Sequence, residues 1–254
     1  MHCVQILFSP TGGTQRAAEV ITSEWSTSVE TIDLSNPAVD FSKCGLQPED
    51  LVLIAVPSYG GRVPELAAQR LSRIHGNSAK CVLLCVYGNR AYEDTLVEME
   101  DLAKRCGFDV IAAIAAVAEH SIMHQFATGR PDKEDVQQLK AFAGAILDKL
   151  GSAAPDSPLS LPGHRPYKKV GGAGLRPKAT KDCTGCGLCA EQCPAQAISR
   201  ENIKAADPQK CISCMRCVVK CPNSARKVNR AMVAAASMTL KKVCSVRKEC
   251  ELFI

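Results

Sequence analysis

No apolar run in this sequence is long enough to cross a bilayer. The longest clean one, residues 110–118, is less than half of the roughly 20 residues a spanning helix needs. Residues 1–9 lack the basic segment and apolar core of a secretory signal. The expectation is therefore a cytoplasmic chain with no membrane span. Two nucleotide signatures are also missing. Without G-x-x-x-x-G-K-[ST], a nucleotide triphosphatase is disfavoured, and without G-x-G-x-x-G a nicotinamide-dinucleotide site is weakened. Tryptophan is reduced to one residue, Trp25. Charge of one sign is scarce as well: the formal net charge is only +5. That value does not suggest a nucleic-acid partner, and bound anionic groups would lower it further.

Cysteine is the residue in excess, at fifteen. A secreted chain would use such a number for disulfides. Here the placement is uneven, with eight cysteines packed between Cys183 and Cys221. Metal ligation in a reducing compartment fits that clustering better.

The first 150 residues alternate two signals. Strand-like runs occur at residues 4–8, 29–34, 51–56, 81–86 and 110–117. Four of them are nearly continuous apolar runs, as expected of parallel strands buried on both faces. The run at 29–34 is polar enough to lie near an edge. Helical patterns cover residues 14–25, 64–74, 92–106 and 132–150. Five such β–α units predict an α/β, doubly wound parallel sheet for residues 1–150. Residues 151–176 break the pattern with four prolines and a GGAG run, and read as a solvated linker. Residues 228–254 are Ala- and Val-rich, then basic, then apolar. They read as a helical tail packed on one of the domains.

Between linker and tail lies an internal repeat. CTGCGLCAEQCPAQAI at 183–198 aligns without a gap on CISCMRCVVKCPNSAR at 211–226, 28 positions on. Each copy has the spacing C-x2-C-x2-C-x3-C-P. Three closely spaced thiolates let one tight loop wrap a four-iron cubane. Zinc is the alternative for soft thiolates, but structural zinc sites use C-x2-C pairs separated by a longer spacer. Residues 177–227 resemble the two-cluster bacterial ferredoxin, in which the fourth cysteine of each copy ligates the other cluster. The resemblance implies two [4Fe–4S] clusters in a small α+β domain. One would be held by Cys183, Cys186, Cys189 and Cys221, the other by Cys211, Cys214, Cys217 and Cys193. Each oxidised core, at about +2, with its four thiolates adds about −2, which brings the chain near neutrality. The first copy has Gly185 and Gly187 where the second has Ser213 and Met215, so the two environments are expected to differ.

The loop Ser9-Pro10-Thr11-Gly12-Gly13-Thr14 follows the first strand and opens the first helix. Its glycines permit a tight turn, and its N–H groups face outward at the positive end of the helix dipole, as a phosphate requires. This arrangement resembles flavodoxin, whose first loop, S/T-x-T-G-x-T, binds the phosphate of FMN. The resemblance implies the strand order 2-1-3-4-5. It also brings in two further loops, Pro57-Ser58-Tyr59-Gly60-Gly61 and Tyr87-Gly88-Asn89-Arg90-Ala91-Tyr92, as the walls of the isoalloxazine site. Tyr59 and Tyr87, with Tyr92 behind them, are the stacking candidates, or else half-buried loop tyrosines. Arg62 and Arg90 depart from the acidic flavin loops of electron-transfer flavodoxins, and a cation there would favour the anionic reduced flavin. His120, just past the fifth strand, is placed either to donate to the flavin or to cap its own loop. Cys244 and Cys250 are the remaining cysteines nearest to reactivity, and burial would make them inert.

The whole chain resembles the flavodoxin–ferredoxin fusions of bacteria and archaea grouped as the EFR1 family. That implies an iron–sulfur flavoprotein with a redox partner, either a protein or a small-molecule donor or acceptor. The expected function is electron transfer between the clusters and FMN. Two alternatives stand beside it: an FMN-dependent reductase of a quinone or nitro compound, and a flavin-free iron–sulfur sensor. The sequence is silent on oligomeric state.

Overall fold

Strands β1 (Cys3–Leu7), β2 (Val29–Asp33), β3 (Leu51–Pro57), β4 (Lys80–Tyr87) and β5 (Asp109–Val117) form a parallel sheet. The computed structural model describes residues 2–152, 158–169 and 174–254. The parallel strands lie in the order β2-β1-β3-β4-β5, as expected of a flavodoxin-like fold. β2 is the outer strand, and its Glu30 and Thr31 are exposed, which accounts for its polar sequence. Along the inner strands successive side chains enter opposite layers. Val4 and Ile6 join the layer under α2 (Glu65–Leu71) and α3 (Thr95–Arg105). Cys3 and Leu7 join the layer under α1 (Gly13–Trp25) and α4 (Lys133–Gly151). The lone tryptophan serves that second layer: Trp25 Nε1 donates to Ala143 O at 3.1 Å and ties α1 to α4. Asp132 begins α4 with a capping box completed by Asp135. Gly107, at φ +83°, follows the end of α3.

The cysteine-rich segment folds as a small α+β unit. β6 (Lys178–Ala179) pairs antiparallel with β7 (Arg226–Lys227) and closes its two ends together. Two one-turn helices, α5 (Leu188–Glu191) and α6 (Arg216–Val219), sit at equivalent places in the two copies of the repeat. Then α7 (Arg230–Cys244) starts at Asn229, whose side chain accepts from the N–H groups of Ala231 and Met232.

The tail and the linker both depart from their sequence readings. The tail is not helical throughout: after α7 it forms β8 (Glu251–Phe253), which pairs antiparallel with β5 through Ala113–Phe253, Ile114–Leu252 and Ala115–Glu251. The sheet is therefore six strands wide, five parallel and one antiparallel. Three residues are too few to show alternation. What selects them is the open edge of β5, whose backbone groups need a partner.

Nor is the linker a solvated connector where it is described. Asp94, almost fully buried, accepts from His164 N at 2.9 Å and Lys168 N at 2.7 Å. Arg165 forks onto Asp101, with two bonds of 2.8 Å, and Tyr167 also donates to Asp101. The Arg62 guanidinium lies 4.7 Å from the centre of the Tyr167 ring. Residues 158–169 are thus strapped along α3. The Gly-Gly-Ala part of the GGAG run falls outside the described residues. Among the described residues no helix is long and apolar enough to cross a membrane.

Candidate flavin and cluster sites

The three loops singled out in the sequence lie at the carboxyl ends of β1, β3 and β4. The first turns on Gly12, at φ +91°, into the first turn of α1. Ser9 Oγ accepts from Gln15 N at 2.9 Å, so it caps the helix and retains its own O–H to donate. Thr14 is buried, whereas Thr11, Gly12 and Gly13 are half-exposed. Among the described residues the N–H groups of Thr11, Gly12 and Gly13 have no backbone acceptor. Gly13 lies against Ala118: a Cβ there would stand 3.4 Å from Ala118 Cβ, at van der Waals contact. The loop thus carries N–H and O–H donors of the kind a phosphate needs.

The second loop, after β3, is a tight turn. Tyr59 and Arg62 exchange both backbone hydrogen bonds, at 2.9 and 3.3 Å, around Gly60 (φ +62°) and Gly61 (φ +86°). Two successive positive φ angles explain why two glycines stand there. Pro57 ends the strand, and the Ser58 hydroxyl is spent on Thr95 at 2.7 Å. Arg62 is spent as well. It grips Glu98 at 2.6 and 2.8 Å, and Arg90 pairs with Glu93 at 2.9 Å. The two arginines of these loops are thus ion-paired with glutamates.

The third loop serves the tail. Asn89, 3% exposed, donates from Nδ2 to Cys244 O at 2.8 Å and Val246 O at 2.9 Å, and accepts from Lys248 N at 3.3 Å. Tyr92 donates to Glu251 at 3.1 Å. Tyr87 is buried in the core and packs edge-on against Tyr92, with ring centres 5.1 Å apart. Of the three tyrosines, Tyr59 is the one these contacts leave for another partner. Gly88 stays next to His120: a Cβ there would meet the imidazole at 2.8 Å. His120 acts as the loop cap, since Nδ1 accepts from the N–H groups of Ile122 and Met123, both at 3.2 Å. Burial, followed by the charge of His124, holds its pKa below the ordinary histidine value, which suits that acceptor role.

All fifteen cysteines are free thiols, without disulfides. The two copies of the repeat share their backbone. Gly185 and Ser213, Gly187 and Met215, and Gln196 and Ser224 all have positive φ, so the second copy adopts the same loop without its glycines. The symmetry extends to the sulfurs: Ala197 N donates to Cys193 Sγ and Ala225 N to Cys221 Sγ, each at 3.3 Å. Cys214 and Cys217 each feel the charge of Cys193 and of Cys211, and burial pushes them up to about 11 and about 12 as thiols. On the other side, Asn223 Nδ2 donates to Thr184 Oγ1 at 2.9 Å, which holds the Cys221 loop against the first triplet. Among the described residues no three His, Cys, Asp or Glu side chains converge as ligands of a single ion.

Arg226 and Arg70 were missed in the sequence. Arg226 is 2% exposed. It donates to Pro177 O and Ile203 O, and its charge acts on Cys217. Its Nε is buried with no partner among the described residues. A buried cation with an unused donor fits a cluster that carries net negative charge with its thiolates. Arg70, on α2, donates to Leu34 O at 2.6 Å and to Pro194 O at 2.7 Å, and so reaches the residue after Cys193. Neither stands within a recognisable motif. Only the place of Arg226 at the end of the second repeat offered a signal.

Residues 182–226 match the family described as a 4Fe–4S dicluster domain. This segment is similar to a 4Fe–4S dicluster domain, and it follows a flavodoxin-like fold. No curated protein matches the chain in sequence. Similar solved structures include a flavodoxin of Streptococcus pneumonia TIGR4, at 16% identity and TM-score 0.42, covering 59% of this chain and 99% of that one. Flavodoxin 1 of Bacillus cereus is similar at 15% identity and TM-score 0.41, covering 58% and 98%. A flavodoxin from the domain Archaea stands at 15% and 0.41, covering 60% and 100%. The dicluster domain meets the flavodoxin-like domain near Tyr59. Burial first, then the nearby Cys214, raises the Tyr59 phenol well above its ordinary value. Ile212, between Cys211 and Cys214, packs against the same core layer as Tyr59.

Proposed function

We propose that this chain is an iron–sulfur flavoprotein of the flavodoxin–ferredoxin fusion type, which passes electrons between two [4Fe–4S] clusters and FMN. The observation that supports it most is the meeting of the second cysteine group with the Tyr59 loop, at the ligand end of the flavodoxin-like sheet. In this reading Cys183, Cys186, Cys189 and Cys221 hold one cluster, and Cys193, Cys211, Cys214 and Cys217 hold the other. The donors of Ser9, Thr11, Gly12, Gly13 and Thr14 take the FMN phosphate. The Pro57–Gly61 turn and Gly88 flank the ring system, with Tyr59 as its aromatic neighbour. Asn89 and Tyr92 support that wall from behind by holding the tail.

Clusters exchange single electrons, and a flavin exchanges one or two, so together they join one-electron donors to two-electron chemistry. The chain's own residues hold the centres and set their surroundings. Arg226 places a fixed positive charge beside the second thiolate group, which favours its more reduced, more negative state. The N–H groups of Ala197 and Ala225 act on the sulfurs in the same sense. The reducing cytoplasm suits fifteen free thiols, and a redox protein or small molecule supplies or removes the electrons.

Anaerobic purification with iron, sulfide and flavin measured on the same sample tests the reading. About eight iron, eight sulfide and one FMN per chain are expected. Two zinc and no sulfide would overturn the cluster assignment. Full clusters without flavin uptake would overturn the carrier mechanism and leave the iron–sulfur sensor.

A further inference from the structure

We infer that the two cluster sites are in series: the one built from Cys193, Cys211, Cys214 and Cys217 exchanges electrons directly with the flavin site across Tyr59, and the one built from Cys183, Cys186, Cys189 and Cys221 faces the outside donor. This rests on the function proposed above, and adds an order that the internal repeat conceals.

The two copies of the repeat have the same backbone, yet they are differently placed. The second cysteine group is held to the flavodoxin-like domain at both ends of its ligand set. At one end Arg70 of α2 donates to Pro194 O at 2.7 Å, and it lies within electrostatic reach of Cys193. At the other end Ile212 packs with the core layer to which Tyr59 belongs, and the Tyr59 phenol lies within electrostatic reach of Cys214. Tyr59 itself stands on the turn after β3, which faces the flavin site. One side chain therefore stands on that turn and lies within electrostatic reach of the second cysteine group, beside the layer that Ile212 joins.

The first group has no such anchorage. Among the described residues no hydrogen bond or ion pair joins residues 182–192 or 220–224 to residues 2–152. Exposure follows the same division. Cys193 and Cys214 are each 9% exposed, whereas Cys186 lies open to solvent. Electron tunnelling falls steeply with separation, so the buried group that packs through Ile212 beside the Tyr59 layer is the one that reaches the flavin. The open group is the one a donor can approach.

Each step moves one electron and breaks no bond. The donating cluster core goes from 1+ to 2+ as the next centre takes the electron, and the reduced flavin takes its proton from solvent. The reductant is a low-potential one-electron donor, for which dithionite stands in below.

The test uses the full chain loaded anaerobically with iron, sulfide and FMN, all counted first. Cys186→Ala removes the outer cluster and Cys211→Ala the inner one. EPR of the dithionite-reduced proteins is recorded with FMN bound and stripped. The spectrum left in Cys186→Ala should change with FMN, and that left in Cys211→Ala should not. Flavin bleaching in stopped flow, corrected for the rate without clusters, should be at least tenfold slower in Cys211→Ala than in Cys186→Ala. Equal rates or the reverse order would overturn the inference. Should either variant lose both clusters, Tyr59 carries the test. Tyr59→Leu should keep its iron and flavin but slow bleaching several-fold, and Tyr59→Phe should restore it. Unchanged bleaching in Tyr59→Leu would overturn the role of the ring. If no FMN is taken up at the counting stage, the function proposed above fails first, and this order with it.

Discussion

Removing the Asn89 side chain should release the end of the tail. Its amide nitrogen satisfies two carbonyls, Cys244 O at the end of α7 and Val246 O just beyond, and its oxygen accepts from Lys248 N. The last carbonyls of a helix have no partner within the helix, so Asn89 acts as a cap supplied from another domain. Each bond contributes about 1 kcal/mol net, and carbonyls left buried without a donor raise the cost, so the loss comes to about 2–4 kcal/mol. Asn89 has φ +63°, a conformation that asparagine tolerates better than alanine. Asn89→Gly removes the bonds and leaves a residue that adopts this backbone without strain.

The assay is hydrogen exchange at β8, which is held to the sheet by three residue pairs with β5. A loss of 2–4 kcal/mol raises the open population, and with it the exchange rate of these amides, roughly 30- to 1,000-fold. Amides of β3, at the centre of the sheet, should keep wild-type rates. If β8 exchanged no faster in a folded Asn89→Gly protein, the tail would be held by the packing of Leu252 and Phe253, and the capping argument would be wrong.

Two further outcomes follow from the sites. Replacing Thr11 and Thr14 together by Val should weaken FMN at least tenfold in a fluorescence-quenching titration, because bonds to a charged phosphate contribute roughly 1.5–3 kcal/mol each. Cluster absorbance should be unchanged in the same protein. The His120 imidazole should titrate by NMR below the ordinary value of about 6.5, since burial favours its neutral form. With its folded pKa lowered, the folded state binds fewer protons than the unfolded chain. Its contribution is therefore complete above about pH 6.5, and is lost as the pH falls from there through the lowered value. A midpoint at or above 6.5 would show that Nδ1 does not accept from Ile122 and Met123.

The parallel sheet was legible in the sequence because its signals are local. Apolar runs mark the buried strands, Glu30 and Thr31 mark the edge, and Pro131-Asp132 marks the start of α4. Cluster spacing is local too, and so is the turn on Gly12. The sequence could not show which way side chains face when two loops compete for them. Asn89 and Tyr92 sit in a loop that reads as a flavin wall, but the tail, some 155 residues on, takes their polar groups. Arg62 and Arg90 read as free cations until Glu98 and Glu93 are seen beside them. The linker read as solvated because of its prolines and its GGAG run. Asp101, which takes Arg165 and Tyr167, and Asp94, which takes the N–H groups of His164 and Lys168, lie on and just before a helix whose sequence carries no mark of what covers it.

The interface between the two domains is small in direct contacts, and its strength has another source. The dicluster domain is entered by a linker strapped to Asp94 and Asp101 and left by a tail fastened to Asn89, Tyr92 and the edge of β5. Both fastenings include residues 89–101, and the tail is held as well at the start of α4, where Arg247 pairs with Asp132 and Gln138 accepts from Cys250 N. A body tethered at both ends to nearby points explores little volume, so the effective concentration of its surface at the Tyr59 loop is high. Weak contacts then suffice. The Arg70–Pro194 bond and the packing of Ile212 need only choose an orientation, because the tethers have already met most of the entropy cost of docking. It follows that loosening either tether should disturb the approach of Cys214 to Tyr59 without touching a ligand of either cluster. The proposed route from cluster to flavin depends on connections at residues 89–101 as much as on the cysteines themselves.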